Sequence, residues 1–282
     1  MQSATAFFAA SLDAHGGGRA SGALTRYLAD DTVAWLRRAS TPAERTALLV
    51  EASRLALLLA RMDADGREHA CAQDHFALAE RLAEESGEAA AQAVVLRMLS
   101  THAGRLGRHR QALRTAETAT RTVPDSAGPE RAFVLAQLAV ARASCAERRG
   151  ALRALSAAEH TVESAEEGEG PFGSYPRAAL DFQTGEVLHA LGDETAALRA
   201  WQRSLDARAY ADRRGRALTH GRIAAVLLNA GRAEEATAHL HKARPLLSGL
   251  DSLTAHHMIR DLQHRTRTYR RRTRNGPTGN GT

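Results

Sequence analysis

The chain has two cysteines, few aromatic residues, a single lysine and no strand-like alternation, and each scarcity narrows what it can be. Cys71 and Cys145 stand 74 residues apart with no CxxC pair. Two such thiols neither staple a chain of 282 residues nor frame a zinc site, which fits a reducing, cytoplasmic compartment. Aromatics make up 4% of the residues. No run of β-branched and aromatic residues alternates with polar ones, so strands are not expected. No stretch approaches the roughly 18 consecutive apolar residues of a membrane span. The opening "MQSATAFFAASLDAHGGG" lacks a basic leader and has its apolar run broken by Asp13, which argues against a signal peptide. Lys242 is the one lysine among 38 basic residues, and residues 260–282, with seven Arg and one Asp, carry the whole net charge of +6. The high isoelectric point therefore describes a tail, not a basic domain.

Catalytic signatures are missing too. "HGGG" (15–18) has the look of an esterase oxyanion loop, but the chain holds no GxSxG nucleophile elbow, so an interhelical turn is expected. "GEGPFG" (168–173) fits GxGxxG. It follows a helical stretch instead of a strand, contains Glu169 and Pro171, and sits behind Glu166 and Glu167, whose charge repels phosphate; a loop is expected. Histidines gather only loosely, at Glu68-His69 with Asp74-His75, His239 with His241, and His256-His257, without HExxH spacing. No catalytic residue, cofactor or metal is expected, and an enzyme built on this scaffold is the least favoured reading.

What is present is alanine, leucine and a repeat. Around Gly192, a small residue lies seven positions earlier (Gly185), and Ala197, Trp201 and Ser204 follow at five, nine and twelve. Around Gly231 the same offsets hold Ala224, Ala236, Leu240 and Ala243; around Gly107 they hold Ser100, Ala112, Ala116 and Ala119. A weaker copy uses Ala146, with Ala139, Ala151, Leu155 and Ala158. Another ends in Ala72, Phe76 and Ala79 behind the hinge "MDADG". The second-helix alanines 72, 112, 151, 197 and 236 are 40, 39, 46 and 39 residues apart. Small residues let two helices approach, the i, i+4, i+7 positions share one face, and glycine relieves the left-handed turn at a helix end. One hairpin cannot bury both faces alone; stacked hairpins share a continuous core.

These hairpins resemble the tetratricopeptide repeat, although units of 39–40 residues exceed that repeat's usual length. The fold expected is all-α, an open right-handed solenoid of about five hairpins capped at both ends. The boundaries are an N-terminal cap over 1–40, the solenoid over 41–248, a C-terminal helix with a basic end over 249–274, and a disordered tail over 275–282. Thr41-Pro42-Ala43-Glu44 reads as a capping box opening the first hairpin, Pro129 opens the third, and "EEGEGPFGSYP" (166–176) is a loop. Residues 1–39 read as two helices split by "HGGG", and a terminal helix covers the last hairpin through Leu253, Ile259 and Leu262. A second resemblance covers roughly residues 5–245. "FFAASLDAHGGGRASGALTRYLADDTVAWLR", with the hairpins that follow, is similar to the C-terminal repeat domains of actinobacterial helix-turn-helix regulators of the xenobiotic-response-element class. In that family a DNA-reading domain precedes this region. Here Met1 opens almost directly on the repeats, so sequence-specific DNA binding is not expected.

The resemblance to tetratricopeptide superhelices places function on the concave groove. Projection from the hinges puts Arg97, Thr101, Arg105, Phe133, Phe182, Glu186, His189 and Asn229 there, a basic stripe beside aromatic and acidic positions. That surface suits an extended peptide or an amphiphilic small molecule. The Arg-rich end, with Arg267, Tyr269, Arg270, Arg271, Arg272 and Arg274, is a candidate polyanion contact, weighed against a solvated helix terminus. The function expected is a non-enzymatic, cytoplasmic, regulatory binding module. Its partner would be a peptide, a small signal or a protein such as a DNA-binding regulator. The alternative is an accessory scaffold of a biosynthetic pathway that presents a precursor peptide or docks an enzyme. A homodimer is left open.

Overall fold

A computed structural model describes residues 1–164 and 175–274, the last three of these by backbone alone. It contains fourteen α-helices and no strand among the described residues. Helices pair as five hairpins. These are α4 (Pro42–Asp65) with α5 (His69–Ser86), α6 (Ala89–Arg105) with α7 (His109–Thr122), and α8 (Gly128–Ser144) with α9 (Arg148–Ser164). Then come α10 (Arg177–Ala190) with α11 (Glu194–Ala207) and α12 (Arg213–Asn229) with α13 (Ala233–Leu247). The fold is an all-α, tetratricopeptide-like solenoid.

The hinges share one geometry. Gly107, Gly192 and Gly231 have φ of 75, 82 and 76°, and Ala146 takes the same left-handed conformation at 63°. In the first hairpin the left-handed residue is Arg67 (φ 63°); Gly66, the glycine of "MDADG", stays right-handed. At all five, the hinge N–H donates to the carbonyl three residues back and the next N–H to the carbonyl five residues before it, as in Gly192 to His189 and Asp193 to Leu188. This Schellman arrangement satisfies the last carbonyls of each first helix. Five residues beyond each hinge the alanine triads begin, and every member of them is buried. Closeness is enforced where it is greatest: a Cβ on Gly185 would lie 2.4 Å from the Trp201 indole nitrogen.

Before the hairpins, α1 (Gln2–His15) is followed by α2 (Ser21–Tyr27), a π-helical turn over Leu28–Thr32, and α3 (Val33–Arg38). The second expected N-terminal helix is thus unbroken but carries a π turn at "LADDT". Thr41 Oγ1 accepts from the Glu44 N–H (3.1 Å), and Glu44 reaches back to the Ser40 N–H (2.9 Å), one residue earlier than a strict capping box. Those bonds to Ser40 hold the Glu44 carboxyl below its usual range. α14 (Leu253–Arg274) covers the last hairpin through Ala255, Ile259 and Leu262, whereas Leu253 is exposed because the helix begins there, before its inward face is established. No helix among the described residues is long and apolar enough to cross a membrane.

The solenoid is not open. α1 packs against both α4 and α12, joining the first hairpin to the last. The seal is Asp65 at the end of α4. Its Oδ1 accepts from Arg214 Nε of α12 (2.8 Å) and Ser252 Oγ (2.9 Å), and its Oδ2 accepts from the Gly17 N–H (3.1 Å). The "HGGG" turn is pressed between the two ends. A Cβ on Gly17 would lie 2.3 Å from the Met62 carbonyl oxygen, and one on Gly16 would lie 2.4 Å from that of Asp251. The first helices and α1 therefore enclose a central channel.

Candidate functional site

The channel wall is built from the inward faces of the first helices. Counting back from the left-handed hinge residue, the sixth position is Arg61 in α4, Thr101 in α6 and Glu186 in α10; the tenth is Leu57, Arg97 and Phe182. At the N-terminal end of these faces lies a cavity of about 900 Å3 between α1, α4, α6 and α8, whose wall includes Glu51, Arg54, Leu57, Ala91, Val94 and Glu130. Glu51 accepts from Thr5 Oγ1 (2.7 Å), pinning α1 to α4, and from Arg54 (2.7 Å). Arg54 also approaches Glu130 of α8 at 3.9 Å, so the wall curves tightly enough for the first and third hairpins to meet.

Further along α6 the wall turns basic. Arg97 is 6% exposed. Its guanidinium carbon sits 3.6 Å from the centre of the Phe133 ring, and its Nε donates to the Phe133 carbonyl (3.4 Å). Tyr175 meets the same ring edge-on at 5.4 Å. Burial pulls the Arg97 guanidinium down to about 9 and pushes the Tyr175 phenol up to about 12, so at neutral pH the phenol is a donor. The Tyr175 hydroxyl is buried with no hydrogen-bond partner among the described residues. The Thr101 hydroxyl reaches Gln137 Oε1 (3.0 Å), and Gln137 donates to Ser100 Oγ (3.0 Å). Arg97, Thr101 and Phe133 are thus brought together where α6 meets α8.

Arg105 is exposed at its surface. Burial first, then Arg214, Arg222 and Arg61, lower its guanidinium to about 10. Arg61 is lowered as well, by burial and against the pull of Asp13. Neither arginine makes a hydrogen bond or ion pair among the described residues. Other charges pair: Glu186 Oε2 with Arg222 (3.0 Å), Asp65 with Arg214 (2.8 Å), and Asp212 with Arg208, while Glu186 Oε1 is buried without a partner among the described residues. Phe182 lies 5.7 Å from the Arg208 guanidinium.

Two expected groove residues take partners of their own. His189 lies against Trp201 of its own hairpin (5.7 Å between rings), and Asn229 Oδ1 accepts from Arg265 of α14 (2.7 Å). Sequence reasoning missed Arg61, although the hinge offset that places Thr101 and Glu186 on the wall also places Arg61 there once Arg67 is taken as the hinge. It missed Tyr175 because that residue precedes its helix and has no place in the repeat. At the basic end, Arg267, Arg270 and Arg271 are exposed on α14, while the Tyr269 hydroxyl donates to the Gly231 carbonyl (3.3 Å). The side chains of Arg272 and Arg274, the "GEGPFG" stretch and the tail from 275 lie outside the described residues. Among the described residues no group of His, Cys, Asp or Glu is placed to hold a metal ion. His239 pairs with His220 (3.0 Å between Nδ1 atoms) and not with its sequence neighbour His241.

A closed tetratricopeptide-like solenoid around a charged channel is the class that fold and site define. No family model matches the chain, and no curated protein matches it. Among solved structures it is similar to one described as the APC/C hetero-tetramer Cut9-Hcn1, at 18% identity over 90% of this chain and 48% of that one, with a TM-score of 0.49. The chain thus spans about half the length of that neighbour. It is also similar to BtubC (BKLC) from P. vanneervenii, at 15% identity over 92% and 95% of the two chains and a TM-score of 0.48. A third is a monomeric mutant of IFIT1 with Gppp-AAAA, at 15% identity over 92% and 60% and a TM-score of 0.48. None of the three bears on what this chain binds.

Proposed function

We propose that the chain is a non-enzymatic regulatory binding module whose ligand, a short peptide or a small signal, is held in the enclosed channel. The observation that carries this reading is the cavity of about 900 Å3 between α1, α4, α6 and α8. Its size matches the few hundred to about a thousand Å3 typical of ligand sites, with apolar walls and a few placed polar groups. Leu57, Ala91 and Val94 supply the apolar contact; Glu51, Arg54 and Glu130 supply orientation. The ligand state would then be read by a partner protein docking outside the channel.

The test fills the cavity. Ala91→Trp places an indole in it without removing a hydrogen bond. Wild-type and variant chains would be purified from the native host and compared by native mass spectrometry, with circular dichroism as the check on folding. A co-purifying species carried by the wild type and absent from a folded Ala91→Trp chain supports the reading; equal loading of both overturns it.

A further inference from the structure

The net charge of the chain is concentrated on one helix. Residues 260–274 of α14 hold seven Arg against one Asp, while the rest of the chain balances acid against base. Register turns that composition into a surface. Ala255, Ile259, Leu262 and Thr266 recur at steps of four, three and four, and all are buried. Arg260, His264, Arg267 and Arg271 recur at the same steps about 140° around the helix, and all are exposed. At a rise of about 1.5 Å per residue this stripe runs about 16 Å. Arg260, Arg267 and Arg271 make no ion pair or hydrogen bond among the described residues. Asp261, the one acid of α14, lies 3.7 Å from Arg265, which also donates to Asn229 Oδ1 (2.7 Å).

Two ordinary explanations of such a stripe fall short. Cations at a helix C-terminus complement its dipole, but that effect fades within the last turn, and Arg260 and Arg267 lie further back. A solvated face interleaves both signs, whereas Arg267 and Arg271 stand at i, i+4 with no acid between them to offset their repulsion. The stripe matches a partner whose negative charge is dense and regular, and duplex DNA carries one charge per about 1.7 Å of its axis. Three features choose among polyanions. A helix that binds a membrane surface needs a free apolar side, and that of α14 is already spent on the last hairpin. A single strand draws affinity from aromatic stacking, and Tyr269, the one Phe, Trp or Tyr of α14, has its hydroxyl on the Gly231 carbonyl (3.3 Å). At that contact α14 reaches the end turn of the last hairpin, and it continues beyond to Arg274. A helix about 10–12 Å across suits the B-form major groove, about 12 Å wide, and not the deep, narrow major groove of duplex RNA.

We propose that the exposed face of α14, through Arg260, Arg267 and Arg271, docks on the phosphate backbone of duplex DNA without regard to base sequence. This contact is separate from the channel and stands whether or not the channel holds a ligand.

Fluorescence anisotropy of the full chain with two labelled DNA duplexes of unrelated sequence, between about 50 and 200 mM salt, tests it. Saturable binding of equal strength to both is expected. Three neutralised phosphates give a slope of log affinity against log salt of about −2.7 or steeper, a loss of about 40-fold or more across that range. A chain carrying Arg260→Gln, Arg267→Gln and Arg271→Gln should shed about 2.7 of that slope and bind at least about tenfold more weakly. Arg260→Lys, Arg267→Lys and Arg271→Lys together keep the charge and should keep the slope. Arg81→Gln, Arg114→Gln and Arg199→Gln together remove as much charge from exposed positions of α5, α7 and α11, and should leave binding unchanged. Every substituted side chain is exposed, so all three variants should melt with the wild type by circular dichroism. No saturable binding at about 50 mM salt overturns the proposal. So do an unchanged slope in the α14 glutamine variant and equal losses in the two glutamine variants, which would mean net charge alone. Tighter binding to a single strand of the same length, to duplex RNA, to phosphatidylserine vesicles or to polyglutamate overturns the choice of partner.

Discussion

Arg67 and Ala146 hold a left-handed conformation that glycine takes at the other three hinges, and each carries a penalty of about 1 kcal/mol or more for it. Replacing either by Gly is expected to stabilise the chain by about 0.5–1 kcal/mol, seen as a higher urea midpoint at constant slope. Gly192→Val should cost about 1–2 kcal/mol by the same measure. That cost is purely conformational, because nothing lies within 4 Å of a Cβ there. The hinges at Gly107, Gly192 and Gly231 were legible because glycine marks them. The first was displaced by one residue because a penalty this small lets Arg67 do the turning beside an idle Gly66. The His220–His239 pair was not legible at all, since its members sit 19 residues apart on two helices. Burial first, then His239, lowers His220 to about 4 against an unfolded value near 6.5. A depressed histidine contributes stability that is present above about pH 6.5 and is lost as pH falls towards 4, up to about 3 kcal/mol. His220→Gln should flatten the wild-type loss of stability across that window, measured by urea titrations at several pH values. A parallel slope in both chains would show that the pair does not titrate as described.

At the scale of elements, the hairpins were readable from spacing because each pairs residues about a dozen apart, within reach of one repeat. The role of α1 was not. "HGGG" announced a turn, but its glycines are required by partners in other parts of the chain: Met62 in α4 and Asp251 after α13. Nothing in the local sequence names those partners. The N-terminal segment is therefore a wall of the channel as well as a cap, fixed at one end by Thr5 on Glu51 and at the other by Gly17 on Asp65. Gly17→Ala puts a methyl group where the Met62 carbonyl stands, and should cost about 2 kcal/mol or more as the turn backs away. Amide exchange is expected to rise through α1 and α2 while α6–α11 keep their protection. Uniformly faster exchange along the chain would mean that α1 is an integral part of one cooperative unit and not a separable wall.

At the scale of the molecule, a single buried carboxylate stands at the centre of the closure, alongside the backbone bonds of Asp251 with His15 and Gly18 and the Thr254 hydroxyl on the Asp65 carbonyl. Asp65 has no exposed side-chain surface, and the residues it joins are 48, 149 and 187 positions away in sequence. An open superhelix was the natural expectation, because repeat spacing sets how neighbours stack and says nothing about where the ends arrive. Removing one partner of a buried pair leaves the other charge uncompensated, so Asp65→Ala is expected to cost about 3–5 kcal/mol. The cost should fall at the seam and not in the hairpin cores, because none of the alanine triads touches it. Three observables should move together: a larger radius of gyration in X-ray scattering, faster exchange in α1, and faster exchange in the first turns of α14. Joint replacement of Asp65 by Leu and Arg214 by Met removes the unpaired charge, and should recover much of the stability without restoring the bonds to Gly17 and Ser252. Scattering then separates charge from closure. If the double variant is stable and still expanded, hydrogen bonding by Asp65 holds the ends together. If it is stable and compact, packing of α1 between α4 and α12 suffices, and the carboxylate serves to balance the arginines of the channel.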